Sequence, residues 1–365
     1  MVHDAELYTV APDEVVVTFR TDREASVTTR VGDREVRTEG RHHSARVGGL
    51  EPDTEYELEV EGAQPSELLP ARVRTLGRPA GRLVATIATV NDVHFGERVC
   101  GKLGDLDLGP VFTTEPGETP YWEVTNAGAI AEIEALAPDA VLVKGDLTSD
   151  GTEAEYELFL AAYSRLGERL HHVRGNHDAV LSHDIAPGHF SVSIDGVTLA
   201  VLDTVRPGIE RGRIDPEQLD WLDQTARATS GPVLVFGHHQ PWNPASRERE
   251  EHYFGVNPDD SDALCDVVRR HENVVGFFAG HTHRNRVRRF EAARRIPIVE
   301  VACVKDYPGA WAEYRVYEGG YVQIGRRIAT PEAMAWTERT RHMFGGLYRD
   351  YALGSVSDRN FVVGF

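Results

Sequence analysis

The sequence predicts an α/β protein with a small all-β unit at its N-terminal side, and three observations predict it. After residue 81, apolar runs of strand length alternate with segments of helical period, whereas the first 76 residues hold only short alternating segments. Between the two rhythms lies GRPAG, residues 77–81, rich in the residues that break regular structure. At 365 residues the chain exceeds the usual span of one domain, so each part is long enough for a core of its own.

The N-terminal segments are EVVVTFRT, ASVTTRV, SARVGGL, YELEVEG and ARVRTL, a pattern expected of an antiparallel sandwich. The piece GLEPDTEYELEV resembles the corner of a fibronectin type III module, where a tyrosine, here Tyr56, folds back on the preceding turn to anchor a strand. Residues 1–78 are therefore expected to form a fibronectin type III-like β-sandwich.

Residues 79–330 are expected to form the α/β unit. The strand candidates are LVATIATV, AVLV, VTLAVL, PVLVF, VVGFFA and IPIVEVA. The helical patterns are EVTNAGAIAEIEALA, TEAEYELFLAAYSRL, DPEQLDWLDQTARA and DDSDALCDVVRRH. Such alternation indicates a largely buried sheet with helices packed on it. The segment AEYRVYEGGYVQIGRR reads as a hairpin at one sheet edge, turning at Gly319 and Gly320. Residues 331–365 read as a C-terminal extension that starts with a helix and either packs on the surface or makes the contact of a homo-oligomer.

A formal charge of −19 argues against a protein held to nucleic acid or anionic membrane by its overall field, so a phosphate-bearing ligand has to be captured at a site. The opening residues carry acidic side chains and no signal-length apolar run, and nowhere does the sequence read as a membrane-spanning helix. Cys100, Cys265 and Cys303 form no CxxC spacing, and an odd number fits neither a disulfide framework nor a thiolate site, so the expected location is cytoplasmic. Cys303, inside PIVEVACV, reads as a small buried hydrophobe.

Five polar clusters follow strand candidates: NDVH, GDLTSDG, GNHD, GHHQP and GHTH. Taken singly, each has an ordinary reading as a cap, a turn or a half-buried histidine. Their shared placement is informative, because residues just past the carboxyl ends of strands in an α/β sheet converge on one crevice. Asp92, His94, Asp146, Asn176, His238, His281 and His283 together offer two carboxylates, an amide and four imidazoles, donors suited to zinc, manganese or iron. Seven ligands overfill one ion, so the set implies two metal ions sharing a carboxylate.

In this order the motifs resemble the calcineurin-like metallophosphoesterase family over residues 82–328. The resemblance implies a sandwich of two mixed sheets flanked by helices. It further implies one ion on Asp92, His94, Asp146 and His283, a second on Asp146, Asn176, His238 and His281, and hydrolysis of a phosphoester by a metal-bridging hydroxide. His177, beside Asn176, is the candidate catalytic proton donor to the leaving group, with Asp178 either orienting it or capping the loop. His239 is expected to pack or bond nearby, since the family's ligand is the His directly after Gly237.

GDLTSDG lacks the Arg of the protein Ser/Thr phosphatases, and His94 and Ser149 stand where purple acid phosphatases have Gly and a Tyr ligand. GDLTSDGTEAEYELF, RGNHD, RGRIDPEQLDWL and HHQPW look most like class III cyclic nucleotide phosphodiesterases and the related glycerophosphodiesterases. A small diester such as a 3',5'-cyclic nucleotide is thus the expected substrate. The alternatives are a phosphomonoesterase or nucleotidase with the same centre, a nuclease disfavoured by the acidic charge, and a non-catalytic binding module. The stretch 95–125 reads as a lid or a surface excursion, and RNRVRRFEAARR as a solvated basic hairpin or a place where Arg284 or Arg286 meets a substrate anion.

Overall fold

The computed structural model describes residues 1–102, 104, 106–180 and 185–365. Its N-terminal strands are β1 (Val2–Val10), β2 (Glu14–Val31), β3 (Arg34–Gly48), β4 (Glu55–Val60) and β5 (Arg72–Arg74), all antiparallel. They hydrogen-bond as one sheet in the order β1-β2-β4-β5, with β3 also on β2. Two segments that read as separate strands, EVVVTFRT and ASVTTRV, are thus one strand of 18 residues. The DRE between them has no Gly or Pro to end it, and the register shift between Arg20 and Ala25 absorbs the bend. Glu51 donates its N–H to the Tyr56 hydroxyl at 2.9 Å, the fold-back expected from the sequence.

The α/β part runs β6 (Leu83–Val90), α1 (Tyr121–Leu136), β7 (Ala140–Lys144), α2 (Glu153–Tyr163), β8 (Leu170–Val173), β9 (Phe190–Ile194) and β10 (Val197–Val201). It continues with α3 (Pro216–Ala228), β11 (Val233–Phe236), α4 (Pro258–Arg270), β12 (Val274–Ala279), β13 (Arg286–Arg289), β14 (Pro297–Glu300), β15 (Ala310–Tyr317) and β16 (Gly320–Arg327). The tail holds α5 (Pro331–Thr340), α6 (Tyr348–Leu353), α7 (Val356–Arg359) and β17 (Phe361–Gly364). Two mixed six-stranded sheets result, ordered β13-β14-β12-β11-β10-β9 and β17-β16-β15-β6-β7-β8.

Ile87, Leu142, Val201, Phe236, Phe278 and Tyr314 fill the space between the sheets. On the outer faces, α3 and α4 cover one sheet through Leu219, Leu222, Leu264 and Val268, while α1 and α2 cover the other through Ile130, Ile133, Phe159 and Tyr163. Strands buried on both faces have to be apolar throughout, which is why β7, β11 and β12 read as continuous hydrophobic runs. Thr152 caps α2 in a capping box with Glu155, and Pro258 at the first turn of α4 follows the cap Asn257.

The hairpin β15–β16 pairs Tyr317 with Gly320, so its turn residues are Glu318 and Gly319. It is not the sheet edge, because β17 from the tail adds a further antiparallel strand to β16. The N-terminal sheet is bound to this region by buried polar contacts: Arg359 donates to the Leu7 and Tyr8 carbonyls, and Glu6 accepts from Tyr307, Arg327 and Arg341. Among the described residues no helix is long and apolar enough to cross a membrane.

Candidate metal centre

Every cluster found in the sequence falls just past the carboxyl end of a strand: Asp92 and His94 after β6, Asp146 after β7, Asn176 after β8, His238 after β11, His281 and His283 after β12. Both sheets deliver these ends to one place. One ligand atom each from Asp92, His94, Asp146 and His283 lies within 4.8 Å of the others, and the same holds for His238, His239 and His281. The loops after β6 and β7 are joined directly, the Val93 and His94 amides both donating to the Asp146 carbonyl.

Five of the seven candidate ligands, Asp92, His94, Asp146, His281 and His283, have positive φ between 46° and 66°. Such backbone is unfavourable for side chains with a Cβ by about 1–3 kcal/mol each, and it persists only where surrounding structure enforces it. Room for the strained turns comes from glycine. A Cβ on Gly175 would lie 2.1 Å from Asp146 Oδ1, and one on Gly145 2.5 Å from His238 Nδ1.

Three imidazole–carboxylate approaches define the centre. His94 Nε2 is 3.4 Å from Asp146 Oδ2, His238 Nε2 is 3.3 Å from Asp146 Oδ1, and His283 Nε2 is 3.4 Å from Asp92 Oδ1. Charge-assisted hydrogen bonds close to about 2.7–2.9 Å. Two ligand atoms about 2.0–2.2 Å from a common ion, by contrast, sit a little over 3 Å apart. Both ring nitrogens of His94 are buried without a hydrogen-bond partner, a condition that a cation relieves. The donor set and this orphaned imidazole fit metal ions. Asp146 turns its two oxygens to two different imidazoles, as a bridging carboxylate would.

The outward nitrogens are held. His238 Nδ1 donates to the Lys144 carbonyl at 2.8 Å, His281 Nε2 to the Phe254 carbonyl at 3.0 Å, and His283 Nδ1 meets Asp306 Oδ2 at 3.2 Å. Each contact fixes the tautomer that leaves the other nitrogen for the centre. The Asn176 amide oxygen lies 3.1 Å from His238 Nε2, facing inward. His239 is engaged at both nitrogens, by the Thr204 hydroxyl and the Glu210 carbonyl, and so stays outside the ligand set.

Of the two roles open to Asp178, its contacts are those of the loop cap, and orientation of His177 by its carboxylate is corrected. Its carboxylate accepts from the amides of Leu147, Thr148 and Gly175 and from the Thr148 hydroxyl, tying the GNHD loop to the GDLT loop. The His177 ring is instead set by Nδ1 donating to the Ser149 carbonyl at 2.6 Å. In the basic segment, β13 is a paired edge strand, and its neighbour Arg284 binds buried Glu300 at 2.8 Å.

Four residues that support the centre escaped the sequence reading. Asn91 donates to Asp92 Oδ2; Lys144, fully buried, donates to the Ala279 carbonyl and ties β7 to β12; Glu97 lies 3.8 Å from His94 and binds Lys305; Asp306 holds His283. A lysine closing the apolar run AVLVK and the charged pair in VKDYP were the available signals. Asp306 is further fixed by the Cys303 thiol at 2.8 Å and the Tyr348 hydroxyl at 2.5 Å. Asp306→Asn is expected to weaken metal binding about 10–100-fold, measured by calorimetric titration with manganese. An unchanged affinity would remove Asp306 from the centre.

Electrostatics divide the imidazoles. Burial and then Lys305 hold His94 down, to about 4, and burial and His238 hold His281 at about 3. Burial also opposes charge on His238, but Asp146 outweighs it and lifts the group to about 9. In metal-free protein, the protonated His238 therefore contributes stability that is complete below pH 6.5 and is lost as pH rises through about 9. The contribution is on the order of 3 kcal/mol. The urea midpoint of chelated protein should fall across that window, and saturating manganese should abolish the fall, because an ion held by His238 would take the proton's place. A flat profile for the chelated protein would contradict this account.

A two-layered sheet core that gathers carboxylates and imidazoles at its strand ends defines an α/β protein with a preassembled site for metal cations. The family model of the calcineurin-like phosphoesterases matches residues 85–285, and the chain belongs to that family. A probable cyclic nucleotide phosphodiesterase of Synechococcus sp. is 29% identical over 43% of this chain and 63% of its own length. A probable glycerophosphodiester phosphodiesterase of Arcobacter nitrofigilis is 28% identical over 40% of this chain and 57% of its own. A cAMP/cGMP dual specificity phosphodiesterase of Mycobacterium tuberculosis is 32% identical over 40% and 49%. The matches thus span between about half and just under two thirds of these relatives. A dimetal phosphatase from Danio rerio shares the fold, with a TM-score of 0.52 at 17% identity over 68% of this chain and 97% of that one.

Proposed function

We propose that the chain is a dinuclear metal-dependent phosphodiesterase acting on a small diester such as a 3',5'-cyclic nucleotide. One ion is held by Asp92, His94, Asp146 and His283, and the other by Asp146, Asn176, His238 and His281. The observation that carries this reading is the trio of imidazole–carboxylate separations at 3.3–3.4 Å, together with the two orphaned nitrogens of His94. When bound, such a pair of ions, manganese, iron or zinc, polarises the phosphoryl group and lowers the pKa of water. The names of the cyclic nucleotide and glycerophosphodiester relatives support a diester substrate.

The residues of this chain then have distinct tasks. Asp146 and Asp92 concentrate negative charge in a buried site, which favours cations there. His177 stands beside His94, ring centroids 4.6 Å apart, half-buried and free at Nε2 once Nδ1 is bound to Ser149. In its protonated form it hands the Nε2 proton to the departing oxygen. His177→Ala is expected to lower kcat about 10²–10⁴-fold while metal content, read by elemental analysis, stays near wild type. Metal loss in that variant would make the residue structural.

The direct test is hydrolysis of bis-p-nitrophenyl phosphate and of p-nitrophenyl phosphate by manganese-loaded protein. Turnover of the diester, lost on chelation and in Asn176→Ala and His238→Ala, is expected. Turnover of the monoester alone would replace this reading with a phosphomonoesterase, and full activity in both variants would sink the ligand assignment.

A further inference from the structure

Beside the centre, two loops line an open cavity of about 470 Å³, within the range of small-molecule sites. Arg206, Arg211, Arg213 and Arg249 all line it, in a chain whose net charge is −19. Four guanidiniums gathered in one lining repel one another, a local cost that nearby anions offset.

The carboxylates in the wall offset only part of that charge. Arg249 is taken by Asp259 and Asp262. Asp260 accepts from the Ile214 amide and the Asn257 side chain and reaches Arg213 only at 3.5 Å, leaving the buried Arg213 Nε without a hydrogen bond. Arg211 donates to the His252 ring, an acceptor that does not neutralise it. Arg206 has no side-chain partner among the described residues. Glu251 is the one remaining acidic side chain of the lining, set against three guanidiniums.

The cavity adjoins the centre along both loops. Gly212 presses on His239 so closely that a Cβ would lie 2.6 Å from its side chain, and Glu210 supplies the carbonyl that binds His239 Nε2. On the other loop, the Phe254 carbonyl holds His281, and the Phe254 ring, 45% exposed, stands 5.7 Å from the His281 ring and 5.1 Å from that of Tyr253 in the cavity wall. An exposed aromatic face between a metal-binding imidazole and an arginine-lined hollow is a surface on which a planar base stacks.

We propose that the cavity seats a second anionic group of the substrate, so that among small diesters those with a phosphate beyond the scissile one are preferred over a simple cyclic nucleotide, with a base resting on Phe254 between the two. The assignment rests on the phosphodiesterase reading for the scissile group. Guanidiniums suit phosphate because their planar donors engage two oxygens at once.

Two measurements test it. Pyrophosphate is titrated calorimetrically into chelated protein, where no ion contributes; binding is expected, weakened about tenfold or more in Arg206→Ala, the effect of one lost charge-assisted contact, and partly restored in Arg206→Lys. Absence of binding by wild type, or unchanged binding in Arg206→Ala, overturns the proposal. In manganese-loaded protein, thymidine 5'-(p-nitrophenyl phosphate) is compared with its 3'-phosphorylated counterpart. The 3'-phosphate is expected to lower KM about tenfold, and Arg206→Ala to erase that ratio. Equal KM values overturn the subsite while the diesterase reading stands. No turnover of either ester, with pyrophosphate binding intact, overturns the proposal through the diesterase reading instead.

Discussion

Asp146→Ala is expected to empty the centre. Among the described residues, this one alone presents its two carboxylate oxygens to imidazoles of both proposed ligand sets, His94 at 3.4 Å and His238 at 3.3 Å, so its loss removes a ligand from each proposed ion and the negative charge between them. Elemental analysis should drop from about two ions per chain to less than one, and diesterase activity should fall on the order of 10³-fold or more, equivalent to several kcal/mol of charge stabilisation. The carboxylate also accepts from the His177 amide at 3.0 Å, so the variant releases the loop that carries the proposed proton donor. Two retained ions with activity within about tenfold of wild type would show that Asp146 is no bridge.

The second large effect is one of stability and lies far from the centre in sequence. Glu6 on β1 is fully buried, and its carboxylate accepts from Tyr307 at 2.7 Å, from Arg327 at 3.4 Å and from Arg341. Glu6→Ala leaves two buried guanidiniums short of a counter-charge, a change that typically costs about 3–5 kcal/mol. Glu338 still pairs with Arg327 at 2.9 Å and Arg341 at 3.4 Å, which sets the expectation at the lower end, about 3 kcal/mol. Urea denaturation of purified protein measures it. A midpoint equal to wild type would mean that Glu338 carries the whole load and that the N-terminal sheet is held by its apolar contacts alone.

These two residues mark the boundary of what the chain reveals before it folds. Asp146 announces itself in GDLTSDG after an apolar run, because a carboxylate at the carboxyl end of a buried strand has few structural reasons to be there. Glu6, Arg327 and Arg341 announce nothing: charged residues ordinarily lie on the surface, and only their mutual neutralisation lets them lie inside. Asp178 shows the same limit within a motif. Its place beside His177 made it a candidate for orienting the ring, yet main-chain amides of two loops claim its carboxylate, a competition that depends on how the loops approach.

The alternation of strands and helices in the α/β part, the all-β character of the N-terminal unit, and the five clusters at strand ends were legible in the chain alone, because hydrophobic periodicity and the position of polar residues after apolar runs are local properties. Folding sets the rest: β2 runs unbroken through two apparent strands, β17 closes the sheet edge, Asp306 from another loop steadies His283, and four arginines from two loops share one cavity. Each of these depends on which distant segments come to lie together, and that is set by packing and charge compensation across the whole molecule, which no local pattern encodes.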